Sequence, residues 1–336
     1  MHPKLKPIHH QVLVITGATS GIGLATAREA ARRGACVVLT ARNQPELDRI
    51  ADGLAPRERV LTVAADVADV QAVERVRDAA IKTFGRIDTW VNNAAVSIYG
   101  KLHEVSLDEA RRLFEVNFWG VVHGCRAAVP ALARNENGGA LINLGSVLSD
   151  RAIPNQGMYC ASKHAIKGYT DALRMEIEMQ RRPISVTLIK PGAIATPYAD
   201  HARNHFDVQA KNPAPLYAPE LVAEAIVHCA SHRKRDVVVG GTSLVFSALG
   251  VIAPRLSDRL MELTMDRMQR TEQPKHDEQE NLFSAPPWEG DTRGSDDGVV
   301  LRHSLYTMLA MHPVATLVSG ALLTLFVGGA LRARLR

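Results

Sequence analysis

The chain has 336 residues, of which 46% are hydrophobic, and a formal net charge of +5 at pH 7. This length holds one large α/β domain with an appendage, or two small domains. No basic run is interleaved with aromatic residues, which argues against a nucleic-acid partner. The four cysteines show no C-x-x-C spacing, which argues against a metal site or a disulfide framework and is typical of a reducing, cytoplasmic compartment.

The predicted elements alternate between strands and helices. Residues 1–7 contain no apolar segment typical of a secretory signal and are interpreted as a disordered polar leader. Strands are predicted at 12–16, 36–40, 60–64, 89–92, 140–144, 185–190 and 236–239, and helices at 23–33, 44–54, 70–84, 106–133, 159–180 and 219–231. This alternation predicts a Rossmann-type α/β domain over residues 8–270, a doubly wound parallel sheet of about seven strands with a C-terminal helical extension.

A glycine-rich turn, T-G-A-T-S-G-I-G at 16–23, follows the first strand and opens the first helix. Glycines let the backbone approach a pyrophosphate, and a helix N-terminus supplies N–H groups and the positive end of a dipole. The alternative is that the glycines serve only the shape of the turn. The candidate cofactor-binding residues of this turn are Gly17, Thr19, Ser20, Gly21, Ile22 and Gly23.

Tyr159 and Lys163 are four residues apart, which on a helix places both side chains on one face. A nearby ammonium favours the phenolate, so Lys163 is expected to lower the pKa of Tyr159 toward the range of proton transfer at neutral pH. Ser146 precedes Tyr159 by thirteen residues and follows a predicted strand. Alone, it would more often be a capping residue at the end of that strand.

Over residues 8–241 the order and spacing of the motifs resemble those of the short-chain dehydrogenase/reductase family. The motifs are the glycine turn, Asp66-Val67, Asn92-Asn93-Ala94-Ala95, Asn117, Ser146, Tyr159, Lys163, Pro191-Gly192 and Thr196. One departure is Ala95, where the family usually has glycine, so the cofactor contact there is expected to shift without being lost.

The resemblance implies four catalytic residues. Tyr159 would be the general acid or base, Lys163 would lower its pKa and bind the nicotinamide ribose, and Ser146 would hold the substrate oxygen. Asn117 would support a water relay behind Lys163, with satisfaction of buried backbone groups as the alternative. The further cofactor contacts implied are Asp66, Val67, Asn93, Ala94, Tyr159, Lys163, Pro191, Gly192, Ile194 and Thr196.

The charge after the second strand bears on the choice of cofactor. NAD enzymes usually place an acid there to bind the ribose hydroxyls, but this chain has Ala41 followed by Arg42. A guanidinium binds a 2′-phosphate through charge-assisted hydrogen bonds. NADP is therefore the favoured cofactor, with NAD as a possible second one.

These residues indicate an NADP-dependent oxidoreductase that interconverts a secondary alcohol and a carbonyl group, on a substrate expected to be apolar. The alternatives are an NAD-dependent alcohol dehydrogenase and a low-turnover scaffold that senses NADPH. The resemblance implies that residues 198–217 fold over the substrate, that Leu148, Arg151, Ile153 and Gln156 line the same cleft, and that the long helices form a homodimer or tetramer.

The C-terminal part changes composition. Residues 271–298 contain eight acidic residues against two basic ones and predict a flexible linker. Within the tail, residues 299–336, the nineteen residues of 313–331 carry no charge and would span about 28 Å as a helix. They predict a membrane anchor for a cytoplasmic catalytic domain, with a helix folded back on the enzyme as the alternative.

Overall fold

A computed structural model describes residues 3–275, 280–286, 290–295 and 298–311. Within these residues the strands, numbered in chain order, are β1 (Val12–Thr16), β2 (Cys36–Ala41), β3 (Val60–Ala64), β4 (Thr89–Asn92), β5 (Ile98–Tyr99), β6 (Gly139–Leu144), β7 (Ile184–Pro191), β8 (Arg203–Asn204), β9 (Val208–Ala210), β10 (Leu216–Tyr217), β11 (Asp236–Val239), β12 (Arg270–Pro274) and β13 (Val300–Leu301). The α-helices are α1 (Gly21–Arg32), α2 (Gln44–Asp52), α3 (Val70–Phe84), α4 (Leu107–Phe114), α5 (Gly120–Ala133), α6 (Gly157–Met179), α7 (Pro219–Ser231), α8 (Gly241–Ile252), α9 (Pro254–Met268) and α10 (Leu305–Met311).

Seven strands form one parallel sheet in the order β11-β7-β6-β4-β1-β2-β3, which confirms the predicted fold class. The inner strands β1, β4 and β6 are buried on both faces because helices cover both sides of the sheet. In β1, Val12 and Val14 pack into one core cluster, and Leu13 and Ile15 pack into the cluster on the opposite face. Helices α3, α5 and α6 cover the first face, and α1, α2 and α7 cover the second.

The sheet has its topological switch between β1 and β4, which are neighbours although they are the first and fourth strands. The connections leaving these two strands run to opposite sides of the sheet, so a crevice opens beyond their carboxyl ends. The glycine turn and the loop after β4 therefore meet at this crevice.

The helix predicted as continuous over 106–133 is divided in the structure. Its first part, α4, starts at a capping box in which Ser106 and Glu109 bond each other's backbone N–H. A π-helical turn at Glu115–Trp119 then connects α4 to α5 and contains the buried Asn117. Single π-turns inside helices are frequent at functional sites.

The N-terminal residues are packed, so the prediction of a disordered leader is wrong for residues 3–7. The Lys6 ammonium lies 2.7 Å from a carboxylate oxygen of the buried Asp88, and the Lys4 N–H donates to the Asn137 carbonyl. Composition favoured disorder because these residues are polar, whereas their contacts are made with a distant part of the chain.

The described parts of 271–298 also pack against the domain, contrary to the prediction of a flexible linker. Strand β12 pairs antiparallel with β9, and Leu282 is fully buried. Beyond it, β13 pairs with β10, and α10 ends at the buried Met311.

The predicted membrane anchor, residues 313–331, lies outside the described residues. None of the helices in the described ranges is both long and apolar enough to cross a bilayer. The anchor, like the homodimer or tetramer, stays a prediction.

Asp88→Ala is expected to lower the free energy of unfolding by about 3 kcal/mol. The Asp88 carboxylate accepts hydrogen bonds from the Val12 N–H, from Lys6 and from Arg86 at 2.7–2.9 Å, and the side chain is 4% exposed. Its removal leaves a buried N–H without this acceptor at the start of β1. Urea unfolding measures the loss.

Asp78→Ala is the matched control, because Asp78 is 65% exposed and pairs only with the neighbouring Arg77 in the described contacts. It should change stability by less than about 0.5 kcal/mol. Equal losses for the two variants would contradict a structural role for the N-terminal residues and Asp88.

Candidate active site

A cavity of about 430 Å³ lies beyond the carboxyl ends of the sheet strands. It joins most of the site residues predicted from the sequence: Gly17, Thr19, Ser20, Gly21, Ile22, Arg42, Asp66, Val67, Asn93, Ala94, Ser146, Tyr159, Lys163, Pro191, Gly192, Ile194 and Thr196. Gly23 and Asn117 are outside its lining.

The glycine turn has a backbone that a dinucleotide would fit. Gly17 and Gly21 have φ of +65° and +50°, a region that side chains with a Cβ rarely adopt. Helix α1 begins at Gly21, and no side chain caps its N-terminus. The N-terminus of α1 therefore lies at the cavity beside Ser20 and Ile22, where the helix dipole favours an anion, while the Gly21 N–H itself donates to the Asp291 carbonyl at 2.9 Å.

Gly23 acts inside the turn and not at its surface. A Cβ on Gly23 would lie 1.9 Å from the Gly17 carbonyl oxygen, so any larger residue would force the turn open. Gly23 therefore allows the turn to pack closely against the start of α1, and it does not line the cavity.

Thr16 and Asn93 join the two loops of the switch point. The Thr16 hydroxyl accepts from the N–H groups of Asn93 and Ala94 at 2.9 and 3.0 Å. In return, the Asn93 amide donates to the Thr16 carbonyl at 2.8 Å. These bonds fix the glycine turn relative to the loop after β4.

One end of the cavity is formed by the residues after β2 and β3. Here lie Ala41, Arg42, Asp66 and Val67. The Asp66 carboxylate pairs with Arg112 at 2.5 Å and accepts from the Ala68 N–H at 3.0 Å. Arg112 thus balances the charge of the Asp66 carboxylate, and Arg42 adds a positive charge to this end of the cavity.

Ser146, Tyr159 and Lys163 meet at the opposite part of the same cavity. Their exposures are 8%, 8% and 3%, respectively. The Lys163 ammonium lies 5.5 Å from the centroid of the Tyr159 ring and donates to the Leu144 carbonyl at 2.9 Å. Ser146 follows β6 and accepts from the Leu148 N–H, so it caps a short 3₁₀ turn as well as facing the cavity.

Burial controls the protonation of this group. It raises the pKa of Tyr159, and the neighbouring hydroxyl groups of Tyr198 and Ser146 partly offset this rise. Burial also lowers the pKa of Lys163 to about 8, because an ammonium loses its hydration inside the protein. The prediction that Lys163 brings the pKa of Tyr159 down toward neutral pH is therefore wrong for this structure: the pKa lies above its ordinary value because burial outweighs the neighbouring groups.

Tyr198 is a neighbour of Tyr159 that was not among the catalytic residues predicted from the sequence. The two rings are 5.4 Å apart in an edge-to-face arrangement. The Tyr198 hydroxyl is 2.6 Å from the Ser97 hydroxyl and donates to Gln156 at 2.9 Å. In the sequence, Tyr198 follows Thr196 and Pro197, and no local pattern there indicates a contact with Tyr159.

Asn117 lies behind this group. Its carboxamide bonds both the N–H and the carbonyl of Val96, at 2.8 and 3.0 Å, and donates to Ser162 at 3.2 Å. These contacts match the alternative that Asn117 satisfies buried backbone groups, and the water relay stays a prediction.

Apolar side chains surround the end of the cavity next to Tyr159. Leu148 and Ile153 come from the loop before α6, and Phe246, Met265 and Met268 come from the C-terminal helices. Of the other residues expected here, Gln156 lines the cavity, whereas Arg151 is outside the lining and pairs with Asp258 on α9. The segment after β7 contributes Tyr198, His201, Asn212, Pro213, Ala214 and Pro215.

Comparisons with known proteins agree with this geometry. A family model described as short chain dehydrogenase matches residues 11–206. An uncharacterized oxidoreductase of Bacillus subtilis, YxnA, is 44% identical over 94% of this chain and 90% of its own length. Its similarity therefore includes the C-terminal region beyond the family match.

Two solved structures have the same fold. A short-chain dehydrogenase/reductase from Burkholderia phymatum in complex with NAD superposes with a TM-score of 0.67 at 28% identity, covering 75% of this chain and 96% of that one. An alcohol dehydrogenase from Thermococcus sibiricus complexed with 5-hydroxy-NADP superposes with a TM-score of 0.59 at 28% identity. The match covers 68% of this chain and 95% of that one.

The chain belongs to the short-chain dehydrogenase/reductase family. It is an oxidoreductase of this type that uses a nicotinamide cofactor, and the glycine turn, the α1 N-terminus and the cavity fit such a dinucleotide.

Lys163→Met is expected to stabilise the protein below pH 8, and the gain should vanish at higher pH. The native state releases the Lys163 proton near pH 8, whereas the unfolded chain keeps it to about 10.5. Between these values the unfolded state binds more protons, so the wild type gains stability as the pH rises. The difference between the two proteins should shrink by about 3 kcal/mol across this range, measured by urea unfolding.

Lys82→Met, on the exposed surface of α3, is the matched control and should give a constant difference over the same range. A constant difference for Lys163→Met as well would show that the Lys163 ammonium is not desolvated.

Proposed function

We propose that this protein is an NADP-dependent oxidoreductase that interconverts a secondary alcohol and a carbonyl group on an apolar substrate. One observation carries the proposal: Ser146, Tyr159 and Lys163 line the same cavity as Arg42. A dinucleotide in that cavity would extend from the basic wall at Arg42 past the glycine turn to the Tyr159 group.

Tyr159 would exchange the proton with the substrate oxygen. A phenol is a suitable donor to a carbonyl that becomes an alkoxide, and Ser146 would donate a second hydrogen bond to the same oxygen. Both side chains are nearly buried, so water competes little for these bonds. When bound, the nicotinamide supplies or accepts the hydride.

Tyr198 and Lys163 would adjust the acidity of Tyr159. Support for Tyr198 comes from its position: its ring packs edge-to-face on Tyr159 at 5.4 Å, and its hydroxyl group lowers the pKa of Tyr159 against the effect of burial. Lys163 lies 5.5 Å from the ring and would add a positive charge next to the developing phenolate. Because the pKa of Lys163 is about 8, this charge is present at neutral pH and is lost in alkaline solution.

The preference for NADP is supported by the wall around Ala41 and Arg42. An alanine where an acid would bind ribose hydroxyls removes the repulsion toward a 2′-phosphate. The Arg42 guanidinium is fixed at the cavity by two carbonyls, those of Asn281 and Ser284, at 2.6 and 2.9 Å. A pre-oriented guanidinium loses little conformational entropy when it binds phosphate.

The apolar substrate is supported by the lining next to Tyr159. Ile153, Phe246, Met265 and Met268 line this end of the cavity and belong to one apolar cluster. Unbranched methionine side chains adapt to ligands of different shape. No lysine or arginine other than Arg42 and Lys163 lies in the lining formed by the described residues, so the substrate end offers no further lysine or arginine to a phosphorylated substrate.

The test is the oxidation of NADPH and NADH in the presence of ketones that range from small diketones to long-chain and polycyclic compounds. The wild type should use NADPH with the lower KM and favour the larger apolar ketones. Arg42→Ala should raise the KM for NADPH by roughly 10- to 100-fold, since charged hydrogen bonds contribute about 1.5–3 kcal/mol.

The readout is the ratio of the two KM values, because loosening the Asn281 and Ser284 contacts would affect both cofactors. Arg57→Ala, on an exposed arginine outside the cavity lining, is the control. An unchanged ratio in Arg42→Ala, or a wild type that prefers NADH, would overturn the NADP assignment.

A further inference from the structure

The C-terminal chain returns across the cofactor end of the cavity. After β12, residues 280–286 and 290–295, here called the cover segment, lie at the carboxyl edge of the central sheet. Their acidic, proline-containing sequence resembles a linker, but their backbone is bonded to the domain at several places.

The cover segment is bonded to the glycine turn. The Gly290 N–H donates to the Thr19 carbonyl at 2.8 Å, and the Gly21 N–H donates to the Asp291 carbonyl at 2.9 Å. Arg28 on α1 adds a bond to the Gly290 carbonyl at 3.3 Å. The segment therefore lies against the turn that would hold the pyrophosphate.

A second set of bonds lies at the end of the cavity formed by Arg42 and Asp66. Arg42 donates to the carbonyls of Asn281 and Ser284, and Arg112, which also pairs with Asp66, donates to the Leu282 carbonyl at 3.0 Å. Leu282 is 0% exposed and belongs to the core cluster on the face of the sheet covered by α3, α5 and α6. One buried side chain and three carbonyl bonds thus hold this part of the segment in place.

Asn281 brings a polar side chain to the cavity itself. It lines the cavity with Arg42, Asp66 and Val67. Its side-chain oxygen is buried and has no hydrogen-bond partner among the described residues. A buried acceptor without a donor costs about 1–3 kcal/mol, so a ligand that offers an N–H or O–H here would be stabilised.

We propose that the cover segment is the outer wall of the adenosine site and that the Asn281 carboxamide accepts a hydrogen bond from the adenosine, from either its amino group or a ribose hydroxyl. The dinucleotide would then lie between the sheet edge and the segment. The proposal rests on the nicotinamide dinucleotide of the family, and not on the choice of NADP or on the substrate.

Asn281→Ala in the full chain tests the contact through the Kd of NADPH and of NADH, measured by cofactor fluorescence. The variant should raise both Kd values by about 5- to 15-fold, because this factor corresponds to the loss of one hydrogen bond. The Kd values of NADPH and NADH should rise by the same factor in this variant. The NADP assignment is tested separately, by the ratio of the two KM values in Arg42→Ala.

Phe283→Ala is the matched control, since Phe283 is 53% exposed and outside the cavity lining. It should leave both Kd values within about twofold of the wild type. Kd values for Asn281→Ala equal to those of Phe283→Ala would overturn the proposal.

Hydrogen exchange of the wild type gives a second measurement that needs no substitution. Saturating NADPH should slow exchange in residues 280–286 at least tenfold, because cofactor beneath the segment opposes its opening. Unchanged exchange in these residues, with protection confined to the glycine turn, would also overturn the proposal.

Discussion

The adjacency of β1 and β4 determines where this protein can hold a ligand. A parallel sheet covered by helices on both faces buries its strands completely, so polar groups can gather only at the edges. At the switch point the loops after β1 and β4 diverge, and the bonds between Thr16 and Asn93 fix their separation. The glycine turn, Arg42 and the group of Ser146, Tyr159 and Lys163 all lie around the crevice that results.

The same burial that forms the sheet sets the electrostatics of the site. Lys163 is 3% exposed and hydrogen-bonded to a carbonyl, so its charge is maintained against a desolvation cost. Tyr159 is equally enclosed, and burial favours its protonated form. A phenol that holds its proton in the resting site suits carbonyl reduction, provided that Tyr198, Ser146 and Lys163 stabilise the phenolate as the proton leaves.

The sequence was sufficient for features that depend on local pattern. Buried strands are continuous apolar runs, the turn before α1 needs glycine where φ is positive, and Tyr159 and Lys163 share a helical face through their spacing. These signals placed the strands of the sheet, the glycine turn and the Tyr159/Lys163 pair, whereas most of the other predicted cavity residues came from the family resemblance. The π-turn at Asn117 was missed because it alters hydrogen bonding without changing composition.

Features that depend on long-range contacts could not be predicted in this way. Residues 3–7 and the cover segment have the composition of disordered chain, yet much of their order comes from backbone bonds and from single anchors such as Lys6 and Leu282. The contact between Tyr198 and Tyr159 joins the loop after β7 to helix α6, about 40 residues apart along the chain, and likewise has no local signal.

The most direct test of the account is a comparison of Tyr159→Phe with Tyr169→Phe, which loses a phenol on the same helix outside the cavity lining. With NADPH and a ketone that the wild type reduces, we expect Tyr159→Phe to lose at least about 100-fold in kcat while its Kd for NADPH stays within about threefold. Tyr169→Phe should retain activity. A Tyr159→Phe variant that reduces the ketone at the wild-type rate would contradict the central claim that Tyr159 transfers the proton.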